Sequence, residues 1–172
     1  MPVLENLELN PKSFYGVGKI ASEHYMRIYE EYGINCTALR LFNVYGPGQN
    51  MHNLRQGMVS IYLAQALNSG HIIVKGSPER FRDLVYIDDV VHSFIRASKS
   101  TNVGYSCFNV CTGIKTTVQE LLEIISKSVP GQCSIEFAKG TPGDQHGIYG
   151  DNSKIYEAIN WRPNIDVLTG LR

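Results

Sequence analysis

Tyr15-Gly16-Val17-Gly18-Lys19 opens a helix-like segment, and Cys36-Thr37-Ala38-Leu39-Arg40-Leu41-Phe42 follows it as an apolar, strand-like segment. Apolar and aromatic residues recur at helical spacing from about residue 16 to 32, and Gly33 is the glycine that commonly ends a helix. A nearly continuous apolar strand is typical of a parallel sheet covered on both faces. These two segments therefore predict an α/β fold with a helix packed on a parallel sheet.

The rest of the chain continues the alternation of helices and strands. Asp88 is the expected N-cap of one helix, and Thr116 or Thr117 with Glu120 forms the expected capping box of the next. Such alternation predicts an α/β protein with a largely parallel sheet. The predicted helices are 55–69, 88–98, 118–128 and 152–159, and the predicted strands are 72–74, 81–87, 107–110 and 134–137.

Composition excludes several functional classes. The 172 residues include 16 basic and 16 acidic side chains, a formal net charge of zero that argues against a nucleic-acid binder. No apolar run approaches the ~20 residues that span a bilayer, so we expect no membrane segment and a cytoplasmic protein. Cys36, Cys107, Cys111 and Cys133 fit no zinc-binding spacing, and we expect buried thiols and no metal site.

Tyr15 and Lys19 are candidates for acid/base chemistry. Residues four apart share one face of a helix, so the spacing can place the lysine ammonium beside the phenol. A neighbouring positive charge favours the phenolate and lowers the pKa of a tyrosine, which suits it to proton transfer. The motif by itself is common, and a partly exposed helix start is the simpler interpretation.

A glycine-rich turn for binding phosphates is not found. Residues 16–21 match G-x-G-x-x-A formally, but no strand precedes them and no βαβ unit starts there. The P-loop pattern fails as well, because Ile20 follows Lys19 where serine or threonine is needed.

Taken together, the motifs resemble those of the extended short-chain dehydrogenase/reductases, specifically the NAD-dependent nucleotide-sugar epimerases and dehydratases. The resemblance covers nearly the whole chain. It implies a partial Rossmann-type parallel sheet with a smaller α/β substrate-binding domain. The matching segments are 15–19 with Glu23, 40–49, 82–90, 143–144 and 160–163.

The resemblance implies roles around the cofactor. Tyr15 would exchange a proton with a sugar hydroxyl while hydride passes to NAD, and Lys19 would bind the nicotinamide ribose beside it. Phe42 and Val44, on either side of Asn43, look like the loop whose backbone meets the nicotinamide. The implied reaction is epimerisation at C4 of a UDP-hexose.

It also implies substrate-binding residues. Asn43 and Arg82 resemble the residues that contact the substrate diphosphate, and Asp144 resembles a carboxylate near the nucleoside ribose. Simpler structural interpretations stay open at this point: Asn43 and Asp144 as turn residues, and Arg82 paired with Asp83 or Asp88. Thr141-Pro142 stands where many members have an arginine, and Cys111 stands where a glycine is common.

Members of the resembled family have roughly another half-domain ahead of the tyrosine, so this chain looks like a C-terminal half. We expect residues 1–50 to belong to the dinucleotide-binding domain. Residues 51–172 would form mainly the substrate-binding domain, with part of 80–112 returning to the Rossmann sheet. A homodimer through the helix at 16–32 is expected. The alternatives are a 4,6-dehydratase or decarboxylase, or a catalytically silent fragment that only binds a nucleotide-sugar or a partner.

Overall fold

The structure is a computed structural model that describes residues 1–52, 57–140 and 145–172. Its helices are α1 (Phe14–Glu30), α2 (Met58–Ser69), α3 (Ile87–Ser98), α4 (Val118–Ser128), α5 (Ser153–Ile159) and α6 (Val167–Gly170). Its strands are β1 (Cys36–Leu41), β2 (Asn43–Tyr45), β3 (His71–Lys75), β4 (Phe81–Arg82), β5 (Leu84–Tyr86), β6 (Tyr105–Val110), β7 (Thr116–Thr117), β8 (Ser134–Ala138) and β9 (Gly147–Ile148).

The strand pairs are mostly parallel, which confirms the predicted class. β1 pairs with β6, β2 with β5, and β3 with β8, all in parallel register. β4 pairs in parallel with β9 and antiparallel with β7. Helices separate the paired strands along the chain, as parallel connections require. The segment predicted as one strand at 81–87 is divided into β4 and β5.

Two clusters of buried apolar side chains stabilise these layers. The larger one lies between α2, α4 and the strands β3 and β5, with Ile72, Leu122 and Ile125 fully buried. The second is formed around β5, β6 and α5 and includes Trp161, which is 1% exposed. The Trp161 indole donates to the Asp89 carbonyl at 2.9 Å, so this large side chain is buried with its polar atom satisfied.

Asp83 connects three parts of the chain from a fully buried position between β4 and β5. Its Oδ1 accepts hydrogen bonds from the Thr112 amide and hydroxyl, both at 2.7 Å. Its Oδ2 accepts from the Gly113 amide at 2.9 Å and the Gly150 amide at 3.2 Å. A buried carboxylate is tolerated when donors surround it in this way. The carboxylate thereby joins the strand edge to the turn after β6 and the chain after β9.

The helix ends agree with the expected caps in part. Thr117 and Glu120 form the predicted capping box of α4. The prediction that Asp88 caps α3 is wrong, because the N-cap is Tyr86 and no side chain caps that helix. Asp89, in the same turn, points inward, and its Oδ2 accepts from the amides of Asn164 and Ile165 at 3.0 Å.

Other helix boundaries differ from the predicted ones by a few residues. α1 ends at Glu30, two residues before the expected end, and Gly33 has the left-handed φ of 75° beyond it. α2 begins at Met58 as described, and the start predicted at residue 55 lies outside the described residues. Among the described helices, none is both long and apolar enough to cross a bilayer.

Replacing Asp83 by alanine should destabilise the fold strongly. Four donors would lose their acceptor in a buried site, which we expect to lower the free energy of unfolding by about 3 kcal/mol. Urea denaturation of the 172-residue chain measures this value. Asp88→Ala, which removes an exposed carboxylate from α3, should cost about 0.5 kcal/mol. Equal effects of the two substitutions would contradict the role given to Asp83.

Candidate active site

The helix that carries the predicted acid/base pair is attached to the sheet with unusually little burial. α1 has no fully buried side chain, although it lies against β1 and β6. Its start is fixed by Ser13, whose hydroxyl accepts from the Gly16 amide at 3.1 Å. Position and orientation of α1 must therefore come from specific polar contacts more than from apolar packing.

The main contact is an ion pair between α1 and β1. Arg40 donates from Nε to Glu23 Oε1 at 2.8 Å and from Nη2 to Glu23 Oε2 at 2.7 Å. Its third nitrogen donates to the Glu5 carbonyl at 3.0 Å, and the Tyr105 hydroxyl donates to Glu23 at 3.3 Å. The two-point geometry fixes the guanidinium plane against the carboxylate, so α1 is held in one orientation.

The same contacts shift the ionisation of these groups. Hydrogen bonds from Arg40 lower the pKa of Glu23 below its ordinary 4.5, against the opposing effect of burial, and the Arg40 charge adds to the lowering. The hydrogen bonds to Glu23 also raise the Arg40 pKa above its ordinary value. Burial raises the pKa of Tyr105 to about 12. Glu23 and Arg40 are therefore both charged at neutral pH.

Tyr15 and Lys19 lie together on α1, as the spacing predicts. The Lys19 ammonium nitrogen is 5.2 Å from the centroid of the Tyr15 ring. Both side chains line a cleft of about 650 Å³ between α1 and β1, with Arg40 and Leu41 on its opposite wall. Tyr15 is 75% exposed, so its phenol is accessible to a molecule in this cleft.

Asn43, Val44 and Arg82 line a second cleft, of about 780 Å³, formed by β2, β3 and α2. The Asn43 amide nitrogen donates to the Asp83 carbonyl at 3.3 Å. Arg82 donates to the Phe81 carbonyl at 2.7 Å and to the Gln145 carbonyl at 3.3 Å. Asn43 follows the last residue of β1, Leu41, by two positions, so the two clefts have lining residues close to one another in the chain.

Phe42 is not among the described residues that line the two clefts. The Phe42 ring faces Gly150, close enough that a side chain at Gly150 would collide with it, and the Phe42 amide donates to the Val110 carbonyl at 3.1 Å. The Phe42 side chain is therefore part of the packing between the strands. Asp144 lies outside the described residues, and the prediction for it stays a prediction.

Sequence reasoning missed the role of Glu23 and the contribution of Lys75 and Arg80 to the second cleft. A signal for the ion pair was present, because a single arginine within an otherwise apolar strand needs a buried acidic partner. Arg80 carried no such signal. It is 9% exposed, and its guanidinium donates to the carbonyls of Lys75 and Ser77, so a local turn determines its position.

The chain matches the model of the NAD dependent epimerase/dehydratase family over residues 2–111. It belongs to this family of enzymes. The predicted family and the predicted Rossmann-type fold class are therefore confirmed.

Two curated relatives of this chain have different activities. The UDP-glucose 4-epimerase of Mycolicibacterium smegmatis is 34% identical over 172 residues, which cover 99% of this chain and 54% of that protein. UDP-glucuronic acid decarboxylase 1 of Arabidopsis thaliana is 29% identical over 164 residues, covering 95% of this chain and 37% of that protein. The chain therefore spans about half or less of the length of these relatives.

Solved structures agree with the fold. The UDP-N-acetylglucosamine 4-epimerase of Methanobrevibacter ruminantium, in complex with UDP-N-acetylmuramic acid, is 28% identical with a TM-score of 0.93. The match covers 100% of this chain and 55% of that one. The Thermus thermophilus UDP-glucose 4-epimerase, in complex with NAD, is 30% identical with a TM-score of 0.87, and the match covers 100% of this chain and 56% of that one.

Removing the Glu23 charge should weaken the fold in a pH-dependent way. Because folding lowers the Glu23 pKa, the ion pair adds stability above pH 4.5, and this is lost as the pH falls through the folded-state value. Glu23→Gln should therefore lower the free energy of unfolding by about 1 kcal/mol at pH 7 and by less at pH 3.5.

Urea denaturation of both forms at the two pH values measures the difference. Glu79→Gln, in an exposed turn, is the matched control and should change little at either pH. A Glu23→Gln effect that is the same at pH 7 and pH 3.5 would contradict the assigned ion pair.

Proposed function

We propose that the protein is an NAD-dependent nucleotide-sugar epimerase that acts at C4 of a UDP-hexose. The observation that carries this proposal is the placement of Tyr15 and Lys19 together, 5.2 Å from ring centroid to ammonium, at the wall of an open cleft in a chain of the epimerase family. The 4-epimerases of Mycolicibacterium smegmatis and Thermus thermophilus, at 34% and 30% identity, support the choice of reaction.

In this proposal Tyr15 transfers the proton. Its phenolate removes the proton from the C4 hydroxyl of the sugar, and the Lys19 ammonium stabilises the phenolate by charge attraction. NAD, held through its ribose by Lys19, would supply a reversible hydride acceptor for C4. Tyr15 gives its proton back to the C4 oxygen when hydride returns on the opposite face of the rotated keto-sugar. No net oxidation occurs, and only the configuration at C4 changes.

The fit of NAD to this chain is supported by the first cleft. Its 650 Å³ lies in the range of small-molecule sites, and Tyr15 and Lys19 reach its interior from α1. Lys19 would hold the ribose, and the backbone around Phe42 and Val44 would meet the nicotinamide at the carboxyl end of β1. Ligands of parallel α/β sheets bind at that end of the strands.

The second cleft would hold the diphosphate and the sugar. Asn43 and Arg82 line it together, and a guanidinium can bind phosphate oxygens through two parallel hydrogen bonds. Asp144 would contact the nucleoside ribose, as the family resemblance implies. Residues 1–50 would then form part of the dinucleotide-binding domain, and 51–172 mainly the substrate-binding domain, with part of 80–112 in the Rossmann sheet.

We further propose a homodimer through α1 and a cytoplasmic location. α1 and the turn beyond its end expose several large apolar residues, among them Tyr25, Ile28 and Tyr32. Single exposed apolar residues are ordinary on a protein surface, but several large ones on one helix suit a protein interface. The cysteines of the chain are free thiols, which suits a reducing compartment.

Two alternatives have specific support. A relative with decarboxylase activity at 29% identity favours a lyase of the same family, whose additional groups would lie in the part of the relatives that this chain does not match. A binding-only role of the 172-residue chain is favoured by its match to only part of each relative, 54% of the Mycolicibacterium smegmatis epimerase and 37% of the decarboxylase. Titration of the 172-residue chain with NAD separates an enzymatic role from the binding-only role. Tight stoichiometric binding of NAD would contradict the binding-only role.

Tyr15→Phe should abolish turnover while leaving the nucleotide-sugar affinity in place. Loss of a positioned acid/base group lowers the rate about 10²- to 10⁴-fold. The assay is conversion of UDP-galactose with NAD by a polypeptide that has the full length of the relatives. Tyr29→Phe, an exposed tyrosine on the same helix, is the control and should keep its activity. Normal turnover by the Tyr15 variant would sink the assignment.

Arg82→Gln should weaken binding of UDP-glucose about tenfold, because a charged hydrogen bond to phosphate is lost. Calorimetric titration of the same full-length polypeptide measures the affinity. Lys139→Gln, an exposed cation outside both clefts, should leave it unchanged. An unchanged affinity of the Arg82 variant would remove this residue from the substrate site.

A further inference from the structure

A third cleft, of about 550 Å³, lies between the C-terminal part of α3 and the end of α5. It shares no lining residue with either cleft of the candidate active site. His92, Arg96 and Lys99 line it from α3, and their spacing of four and then three residues places them on one face of the helix. Arg162 lines it from the segment that follows α5.

The cleft has a strong excess of positive charge in a chain whose formal net charge is zero. Arg96, Lys99 and Arg162 are basic side chains, and no acidic residue of the described ranges lines the cleft. Within the part of the chain that the structure describes, the ion pairs are Arg40–Glu23 and His71–Glu136, so these cations have no carboxylate within 4.0 Å. Asp88 and Glu157 lie on the same helices but outside the lining.

The partial negative charges at two helix C-termini offset the positive charge of the cleft only in part. The C-terminal ends of α3 and α5 meet at the cleft, and each carries the equivalent of about half a negative charge. Three full positive charges against about one negative charge leave a clear cationic excess. The buried carboxylate of Asp89 lies beside the lining residue Asn164, because its Oδ2 accepts from the amides of Asn164 and Ile165, and its negative charge reduces the excess further without cancelling it.

The cationic groups are also held in place. The Arg162 guanidinium stacks on the Tyr156 ring, 3.8 Å from its centroid, which leaves its N–H edges available for acceptors in the plane. Arg96 donates to the Ile159 carbonyl at 3.3 Å and has further N–H groups beyond that bond. Asn160, with a left-handed φ of 51°, makes the turn that returns Arg162 towards α3.

We propose that this cleft is a binding site for a small polyanion of the phosphate class, such as a diphosphate group. Two guanidinium groups and an ammonium line one cleft and have no carboxylate within 4.0 Å among the described residues, a set of donors that suits phosphate oxygens. The cleft volume accommodates a small molecule, and its concave shape favours such a ligand over nucleic acid. The site stands independently of the proposed epimerase function.

The test is a titration of the ¹⁵N-labelled 172-residue chain with inorganic pyrophosphate, at ionic strength held constant with sodium chloride. Backbone amide shifts should change around residues 92–99 and 156–164 in a saturable way. Arg82→Gln is included to remove any response of the candidate substrate cleft, and it should leave these shifts intact.

The paired variant Arg96→Gln with Arg162→Gln should bind pyrophosphate at least about tenfold more weakly. These side chains are exposed, so the variant should fold, and circular dichroism checks this. Arg96→Lys tests the charge alone and should retain part of the affinity. Lys139→Gln is the matched control with an exposed cation removed elsewhere, and it should bind as the parent does.

Shifts confined to the surroundings of Asn43 and Arg82 would overturn the proposal. Weak, non-saturating shifts near every exposed cation, equal in all variants, would also overturn it. Tighter binding of a single-stranded oligonucleotide than of pyrophosphate would replace the small polyanion with nucleic acid. A final arm with UDP identifies the source, since a gain over pyrophosphate at residues 156–164 indicates a nucleotide and equal binding indicates a free anion.

Discussion

The ion pair between Glu23 and Arg40 is the interaction on which the candidate active site depends. α1 has no fully buried side chain, so apolar packing alone does not determine how it sits on β1. The two-point hydrogen bonds of Arg40 to Glu23, with the third to the Glu5 carbonyl, fix that placement. Tyr15 and Lys19 lie one to two turns before Glu23 on the same helix, and their position in the cleft follows from it.

Asp83 performs a comparable task for the second cleft. Its carboxylate is bound by the turn after β6 and by Gly150, and its own carbonyl accepts from the Asn43 amide. Arg82 precedes it directly in the chain. A buried carboxylate is costly unless hydrogen-bond donors surround it. Here most of the donors are backbone amides, so the backbone around Asp83 must keep the positions that aim them at the carboxylate. The residues proposed to hold the substrate diphosphate therefore lie beside a buried carboxylate that accepts four hydrogen bonds.

Much of the fold was predictable because local patterns and tertiary contacts agree in this chain. The capping box at Thr117 and Glu120, the apolar run of β1 and the alternation of elements each indicate the structure that forms. Asp88 was misassigned because a carboxylate at a helix start has two uses, capping and solvation, and sequence does not distinguish them. Asp89 contacts the Asn164 and Ile165 amides, some 75 residues away, and no local pattern reports such a partner.

The candidate site was predictable to a lesser degree. Helical spacing alone placed Tyr15 beside Lys19, and the shared cleft of Asn43 and Arg82 agrees with the family resemblance. The contact of the Phe42 ring with Gly150 is visible only in three dimensions, and the role expected of the Phe42 backbone stays a prediction. The basic cleft at Arg96 and Arg162 combines residues 66 positions apart, which the sequence could not bring together.

The central claim is that Tyr15 and Lys19 act as one acid/base unit. A double-mutant cycle in kcat tests it most directly, with Tyr15→Phe, Lys19→Met and the combined variant compared at saturating NAD and UDP-galactose in a polypeptide of the relatives' full length. Residues that act as a unit give non-additive losses, so the combined variant should be no slower than Tyr15→Phe alone. Independent, multiplying losses would contradict the claim.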